Sequence, residues 1–297
     1  MKNLFALSVV LFTIILFKAL AQGGSNYSIY GIGDVIHNSS AVYDALGGCS
    51  IAVPKDNSIN LVNPALWGLL NQTRIRAGYR FNQNLIKTEG AHLWQNNGKV
   101  DGILYGLAVD TSKGFSIVFG FNPYSSVNYY IAKPVEVVID DYVLRGSNYY
   151  LGGGGLSQAF LGFSFRPLDY LYIGISGVAN FGTIQRYNRT LVQGSYASSA
   201  ITEENDYFSG AGYRFGVLLN PSNQLFIGMF YEANNRITLN RNVTYIYELT
   251  LDTSFEAESK LDMPFSYGFG IAYKLGRTLL ASEFLTRDFT KMTYNTG

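Results

Sequence analysis

Two histidines, His37 and His92, and one cysteine, Cys49, are all that this chain of 297 residues offers of the side chains most used for nucleophilic and metal chemistry. A Ser-His-acid triad or a His-ligated metal needs a positioned histidine. His37 stands in a stretch without periodicity and His92 in a polar one, so both read as ordinary surface residues, and Cys49 reads as a small buried residue. The glycine run 152–155 is not followed by Lys-Ser/Thr, so it is no phosphate loop and reads as a flexible start to a strand. No catalysis, cofactor or metal is expected. What remains is charge. Arg74, Arg76 and Arg80 alternate along one stretch, and Arg214, Lys274 and Arg287 stand in similar settings. Asp110, Glu232, Glu248, Asp252 and Glu283 oppose them. Arginine grips a carboxylate through a planar fork. These arginines therefore either hold an anionic ligand or form ion pairs that hold parts of the chain itself.

The elements that carry these charges have a period of two. In the stretch 74–81, Ile75, Ala77, Tyr79 and Phe81 share one face, and Arg74, Arg76, Gly78 and Arg80 the other, which is the strand signal. The pattern recurs. Phe115, Ile117, Phe119 and Phe121 oppose Ser116, Val118 and Gly120; Leu161, Phe163 and Phe165 oppose Gly162 and Ser164. Tyr213, Phe215 and Val217 oppose Gly212, Arg214 and Gly216; Phe265, Tyr267, Phe269 and Ile271 oppose Ser266, Gly268 and Gly270. Stretches near 103–110, 171–176, 225–232 and 245–252 alternate too. Pro167 and Pro221 mark tight turns. The polar stretches 82–99 and 186–206 read as long loops.

Composition narrows the architecture. Charged residues are 14% of the chain, against about 25% in an ordinary soluble domain, while aromatics reach 15% and apolar residues 47%. A net charge of +1 leaves no footprint for nucleic acid. After Leu20 there is no apolar run of about 18 residues, so no mature membrane helix is expected. A sandwich would bury its apolar face and show charge on the other. Here the apolar face carries rows of Phe and Tyr, and the second face is Gly, Ser and Ala with isolated charges. That suits a lipid-facing exterior and a polar lumen. The expected fold is all-β: an antiparallel transmembrane β-barrel, with the charged residues in its lumen.

Residues 1–21 read as a secretory signal peptide: Lys2, an apolar core, then Ala19-Leu20-Ala21 as a small-x-small cleavage site. Residues 22–71 lack sustained alternation and read as an N-terminal hatch, a plug for the barrel formed by 72–297. Within it, Asn63 can cap a helix whose first residue is Pro64.

Several short segments together resemble the outer-membrane long-chain fatty-acid and hydrophobic-compound transporter family (FadL/TodX type). They are Gly47-Gly48-Cys49-Ser50-Ile51-Ala52 followed by Asn63-Pro64-Ala65, then Tyr213 to Pro221 with Gly228 to Glu232, then Leu261-Asp262-Met263-Pro264, then Leu280 to Phe284 with Asp288 to Met292. Glu283 departs from the family's usual Asp, and Phe289 from its usual Trp. The resemblance implies about fourteen strands around a hatch, with Asn63, Pro64 and Ala65 as the gate motif. It also implies passive uptake of hydrophobic small molecules such as fatty acids, in contact with the lipids of the bacterial outer membrane. A fatty-acid carboxylate would then meet Arg76, Arg80 or Arg214. The alternative is a non-transporting barrel of the same build, a scaffold or partner of export-machinery proteins or of surface attachment. The alternating segments number about ten to twelve, and the chain stops shortly after Tyr294, so a C-terminally truncated barrel is expected, with an unpaired edge near 278–288 facing another near 73–82.

Overall fold

The computed structural model describes residues 25–36, 40–54, 58–88, 91–139, 142–192, 198–234, 237–247 and 252–296. The expected signal peptide and His37 lie outside these residues, as does Glu248. Among the described residues no helix is long and apolar enough to cross a membrane. The strands are β1 (Asp34–Val35), β2 (Arg74–Thr88), β3 (Ala91–Asp110), β4 (Phe115–Pro123), β5 (Ser125–Ile139), β6 (Tyr142–Leu168), β7 (Leu171–Val192), β8 (Ser198–Ser222), β9 (Leu225–Asn234), β10 (Ile237–Tyr247), β11 (Thr253–Asp262), β12 (Ser266–Leu275), β13 (Thr278–Arg287) and β14 (Thr293–Thr296).

They form one large antiparallel sheet whose main path runs β13-β12-β9-β8-β7-β6-β4-β3-β2. That is nine strands side by side, fewer than the ten to twelve expected. The fourteen segments are more numerous because several crossings are broken. β8 is long enough to pair with β9 along one half and β10 along the other. β6 likewise pairs with β4 and then β5. Among the described residues, β2 is laddered to β3 and β13 to β12 at the ends of the path, with no ladder between β2 and β13. The path ends at the two segments the sequence assigned to its edges.

The alternation holds through the sheet. Tyr267, Phe269, Ile271 and Tyr273 of β12 are exposed while Ser266 and Ala272 are buried. Ile75, Tyr79 and Phe81 of β2 point outward, as do Leu161, Phe163 and Phe165 of β6 and Tyr213 and Phe215 of β8. On this outer face Tyr213, Tyr231, Phe265 and Tyr267 form a chain of neighbouring rings with centroids 5.8–6.2 Å apart. A band of that composition is what a bilayer interior and its interfaces favour.

Two expectations about loops fail for one reason. The stretch 82–99 is a hairpin whose ladder runs on to Thr88 opposite Ala91, and 186–206 continues β7 to Val192 and starts β8 at Ser198. The strands of 27, 22 and 25 residues in β6, β7 and β8 far exceed the roughly 9–11 needed to cross a bilayer. These stretches carry polar residues at both parities, so the ladder persists while the apolar alternation disappears. The glycine run 152–155 accordingly lies in the middle of β6, not at its start. Of the stretch 245–252, residues 245–247 belong to β10 and Asp252 precedes β11, while 248–251 lie outside the described residues.

The N-terminal segment packs against the inner face. Pro64–Leu69 forms a 3₁₀ turn capped by Asn63, with Pro64 at its first position; a second, short helix spans Ala41–Asp44. Ile59, Trp67 and Leu70 pack with Leu104, Val118 and Phe160 of the sheet, and Ala52, Val53 and Ala65 pack with Tyr172, Leu218 and Phe226.

Glycines of the wall give this segment its seat. A Cβ on Gly174 or Gly216 would overlap Pro64 or the Asn63 side chain, and one on Gly228 would overlap the Ile51 carbonyl. Gly174 faces Gly216 and Gly228 faces Gly270 across their ladders. Gly177, by contrast, has open space where a side chain would go. Gly216→Ala is therefore expected to destabilise the protein by about 1–3 kcal/mol, the range for overpacking a filled site, and Gly177→Ala to leave it unchanged. Thermal unfolding in detergent, with alkylation of Cys49 as a reporter on the segment, measures both.

Candidate functional site

The inner surface where segment and wall meet is built from buried asparagines and three charge clusters. Asn60 and Asn63 are fully buried. Asn60 Nδ2 donates to the Ser50 carbonyl at 2.8 Å, and its Oδ1 accepts from the amides of Val62 and Asn63 at 2.8 and 2.7 Å. Asn63 Nδ2 donates to the carbonyls of Ile51 at 2.7 Å and of Val217 in β8 at 3.1 Å, while Oδ1 accepts from Ala65 N–H at 3.0 Å. The Trp67 indole donates to the Asn60 carbonyl at 2.6 Å. The expected cap at Asn63 is thus one bond of three. The other two tie stretch 50–53 to stretch 60–65 and both to the wall.

The first cluster joins the segment to β2 and β3. Arg80 pairs with Asp44 at 2.8 Å and with Asp101 at 3.4 Å, and Arg76 with Asp101 at 3.4 Å. The second is deeply buried. Glu232 of β9 bridges Arg214 of β8, at 2.7 Å, and Arg287 of β13, at 2.9 Å. Arg214 also donates to Gln158 of β6 at 3.0 Å, whose amide donates to Asn180 of β7 at 3.0 Å. Arg287 donates to the Tyr124 hydroxyl. These side chains surround a void of about 40 Å³ that Leu61, Val62 and Phe230 also line, room for about one water. The third cluster lies further along the strands. Arg186 of β7 and Arg241 of β10 share Glu204 and Asp206 of β8 at 2.5–3.0 Å, and Arg186 also donates to the Gly31 carbonyl at 2.7 Å.

Of the residues singled out from sequence, Asn63, Pro64 and Ala65 sit together in the seat. Arg76 and Arg80 share a cluster, and Arg214 belongs to a different one. Glu283 of β13 does face inward, where its carboxylate accepts the amides of Ser50 and Ile51 at 2.6 and 2.9 Å. Beside it, burial and the Glu283 charge push the Cys49 thiol above its usual range. Two expected inner charges are elsewhere. Asp110 caps the turn Thr111–Lys113, its carboxylate accepting from the Ser112 amide and hydroxyl at 3.0 and 2.5 Å; Asp252 is exposed where β11 begins. Lys274 lies over the Phe226 ring, 5.0 Å from its centroid. Sequence reading passed over Asp101, Gln158, Arg186, Glu204, Asp206 and Arg241. Arg186, Glu204 and Asp206 were hidden because polar residues stand at both parities of their stretch, which erases apolar alternation. The shared parity of Glu204 and Asp206 with buried Phe208 was the signal to follow.

The wall has a break beside this site. The β3–β4 ladder stops at Ile103 opposite Phe121, and past it β3 follows β2 while β5 follows β6. The edge of β5 left free is met by β1, with Asp34 opposite Ser126 and Val35 opposite Ser125. Pro134, tolerated only on an edge or at a bulge, lies further along β5. Gly33 has φ +84°, and a Cβ there would overlap the Ser126 carbonyl and Val127, so glycine is needed for both the turn and the approach.

The second cluster yields a quantitative expectation. Removing Glu232 would leave two buried guanidinium groups facing each other, a loss of about 3–5 kcal/mol for a broken buried pair. Glu232→Ala is therefore expected to be far more destabilising than Glu232→Gln, which retains an acceptor. Arg76→Ala, at a longer and more exposed pair, should cost about 1 kcal/mol or less. Heat-modified gel mobility and thermal melting of the detergent-solubilised variants rank the three.

The comparisons with known proteins agree with this build. Three solved outer-membrane proteins share the fold at low identity. A Pseudomonas aeruginosa FadL homologue matches with a TM-score of 0.57 and 11% identity over 89% of this chain and 72% of its own. The toluene transporter TodX of P. putida matches with 0.54 and 14% identity over 84% and 71%. The monoaromatic hydrocarbon channel CymD matches with 0.53 and 12% identity over 86% and 69%. All three are named as channels, transporters or their homologues, in keeping with a non-catalytic role. No curated protein matches by sequence. The sequence profile of one family, BamG, matches residues 1–293, and this chain belongs to the BamG family.

Proposed function

We propose that this chain is a bacterial outer-membrane β-barrel, shut by its own N-terminal hatch, that serves as a scaffold for a protein partner in export or surface attachment. In this reading residues 1–21 are the signal peptide, 22–71 the hatch and 72–297 barrel strands. The observation that carries it is the filling of the space beneath Leu61 and Val62, where Arg214, Glu232, Gln158 and Arg287 leave a void of about 40 Å³. That void is smaller than the roughly 300 Å³ a hydrophobic molecule needs; a cavity of about 370 Å³ beside β1, lined by Ile32, Val35, Phe289 and Met292 among others, is of that size and belongs to the second reading below. Arg76, Arg80 and Arg214, the candidates for a ligand carboxylate, are each engaged by a carboxylate of the chain itself. Of the three, Arg80 ties the hatch through Asp44, while Arg76 and Arg214 pair with Asp101 and Glu232 of the wall; in this reading Asn63, Pro64 and Ala65 seat the hatch rather than act as a moving gate.

A second reading, passive diffusion of hydrophobic small molecules, is favoured by the shared fold and by the break between β3 and β5. It requires β1 to leave the β5 edge, a contact of two residue pairs. Cells lacking the chain, complemented with wild type or with Glu232→Gln, separate the two readings. For a scaffold, loss of the chain lowers the surface abundance of other exported proteins and leaves uptake of a labelled fatty acid or toluene unchanged. For a channel, uptake falls and the protein composition of the surface stays as it was.

A further inference from the structure

Beyond the apolar band, the outward face of β5 to β8 carries a cavity of about 510 Å³ that none of the charge clusters uses. It is assembled from two parallel rows running across four strands. One row is Asn128, Gly153, Gln185 and Asn205; the other is Tyr130, Leu151, Tyr187 and Glu203, each residue opposite the next in the ladder. These positions have the parity of Phe181 and Tyr207, which are exposed on the outer face. Gly153 forms the floor, and a Cβ built there meets nothing within 4 Å. Strands lie about 4.8 Å apart and same-face residues about 6.6–7 Å apart along a strand. The gap that Gly153 leaves between Asn128 and Gln185 is therefore about 10 Å wide, enough for a six-membered sugar ring.

We infer that this cavity binds a neutral saccharide. Primary amides both donate and accept, as do sugar hydroxyls, and three of them stand in one row with the Glu203 carboxylate close by. Tyrosines flank the second row and offer ring faces to the apolar side of a pyranose. The chemistry argues against a phosphate. The one cation bordering the cavity, Arg186, is turned to the other side of the sheet, where it holds Glu204, Asp206 and the Gly31 carbonyl. A peptide strand cannot add across the cavity floor either, since β6 and β7 are laddered on both sides. The placement fits a sugar source. Gln185 lies four residues beyond Phe181, roughly 13 Å along the strand, at the level of headgroup sugars if the band spans the bilayer. That last step rests on the outer-membrane reading above; the pocket chemistry does not.

The test uses the full chain in detergent on an array of neutral hexose and deoxyhexose oligosaccharides. A second arm uses nanodiscs of phosphatidylethanolamine with and without lipopolysaccharide. Gly153→Phe fills the floor without strain, and the Gln185→Ala/Asn205→Ala double variant removes two amides; unchanged heat-modified mobility verifies the fold of each. The expected result is retention of at least one oligosaccharide, weakened about tenfold or more, some 1.4 kcal/mol, by either variant. Retention on lipopolysaccharide nanodiscs assigns the sugar to a glycolipid, and on the array alone to a free glycan. Absence of binding in both arms, or binding that both variants leave intact, overturns the inference. Labelling of Gln185→Cys by an impermeant maleimide on whole cells tests the membrane placement separately, so failure of that placement is distinguishable from failure of the site.

Discussion

The structure depends on a stretch of irregular backbone being held inside a β wall with its polar groups satisfied. An unpaired buried amide or carbonyl costs about 1–3 kcal/mol, and the segment 50–65 has no ladder of its own to prevent this. Two asparagines substitute for one. Asn60 and Asn63 between them engage six backbone groups of the segment and wall. That arrangement needs close approach, and the wall allows it only where Gly174, Gly216 and Gly228 carry no side chain. Asparagine ties and glycine seat are thus one device. Neither is useful without the other, because a Cβ on the wall would push the segment out of hydrogen-bond range.

The charges extend the same logic to the edges of the sheet. Asp44 reaches Arg80 on β2, and the Ser50 and Ile51 amides reach Glu283 on β13. A few residues of the segment therefore touch both strands that end the path, which are not laddered to each other. The segment also supplies β1 to the free edge of β5. It links three edges of the wall, and one of the arginines placed for a ligand, Arg80, is committed to that task through Asp44.

Much of this was legible in the sequence. Period-two alternation assigned the outward side chains of β2, β6, β8 and β12 correctly, and Asn63 before Pro64 announced a capped turn. The inner-face glycines announced room for something, though not what fills it. Illegible were features set by long-range geometry. Asn60 looks like any loop asparagine until the chain brings Ser50 beside it. Asp206 and Arg186 stood in a stretch that read as loop. The strand count failed because broken crossings such as β4 with β5 and β9 with β10 look like separate strands, and because polar stretches concealed the continuation of β2, β3, β7 and β8.

Those hidden continuations change what the outer face is for. A strand that only needs to cross lipid gains nothing from ten further residues, since each ordered residue costs about 1–2 kcal/mol of backbone entropy. In β6 to β8 the extra length is offset by ladders and by the Arg186, Arg241, Glu204 and Asp206 cluster, which locks β7, β8 and β10 together beyond the apolar band. Outside, β5 and β6 present polar side chains, among them the exposed pair of Glu136 and Arg145 at 3.2 Å. A stiff polar sheet surface continuous with an aromatic band is the form a recognition surface takes. The inner clusters bind β7, β8 and β10 to one another and, through Arg186 and the Gly31 carbonyl, to the N-terminal segment, so that segment acts on the outer face through the strands it holds.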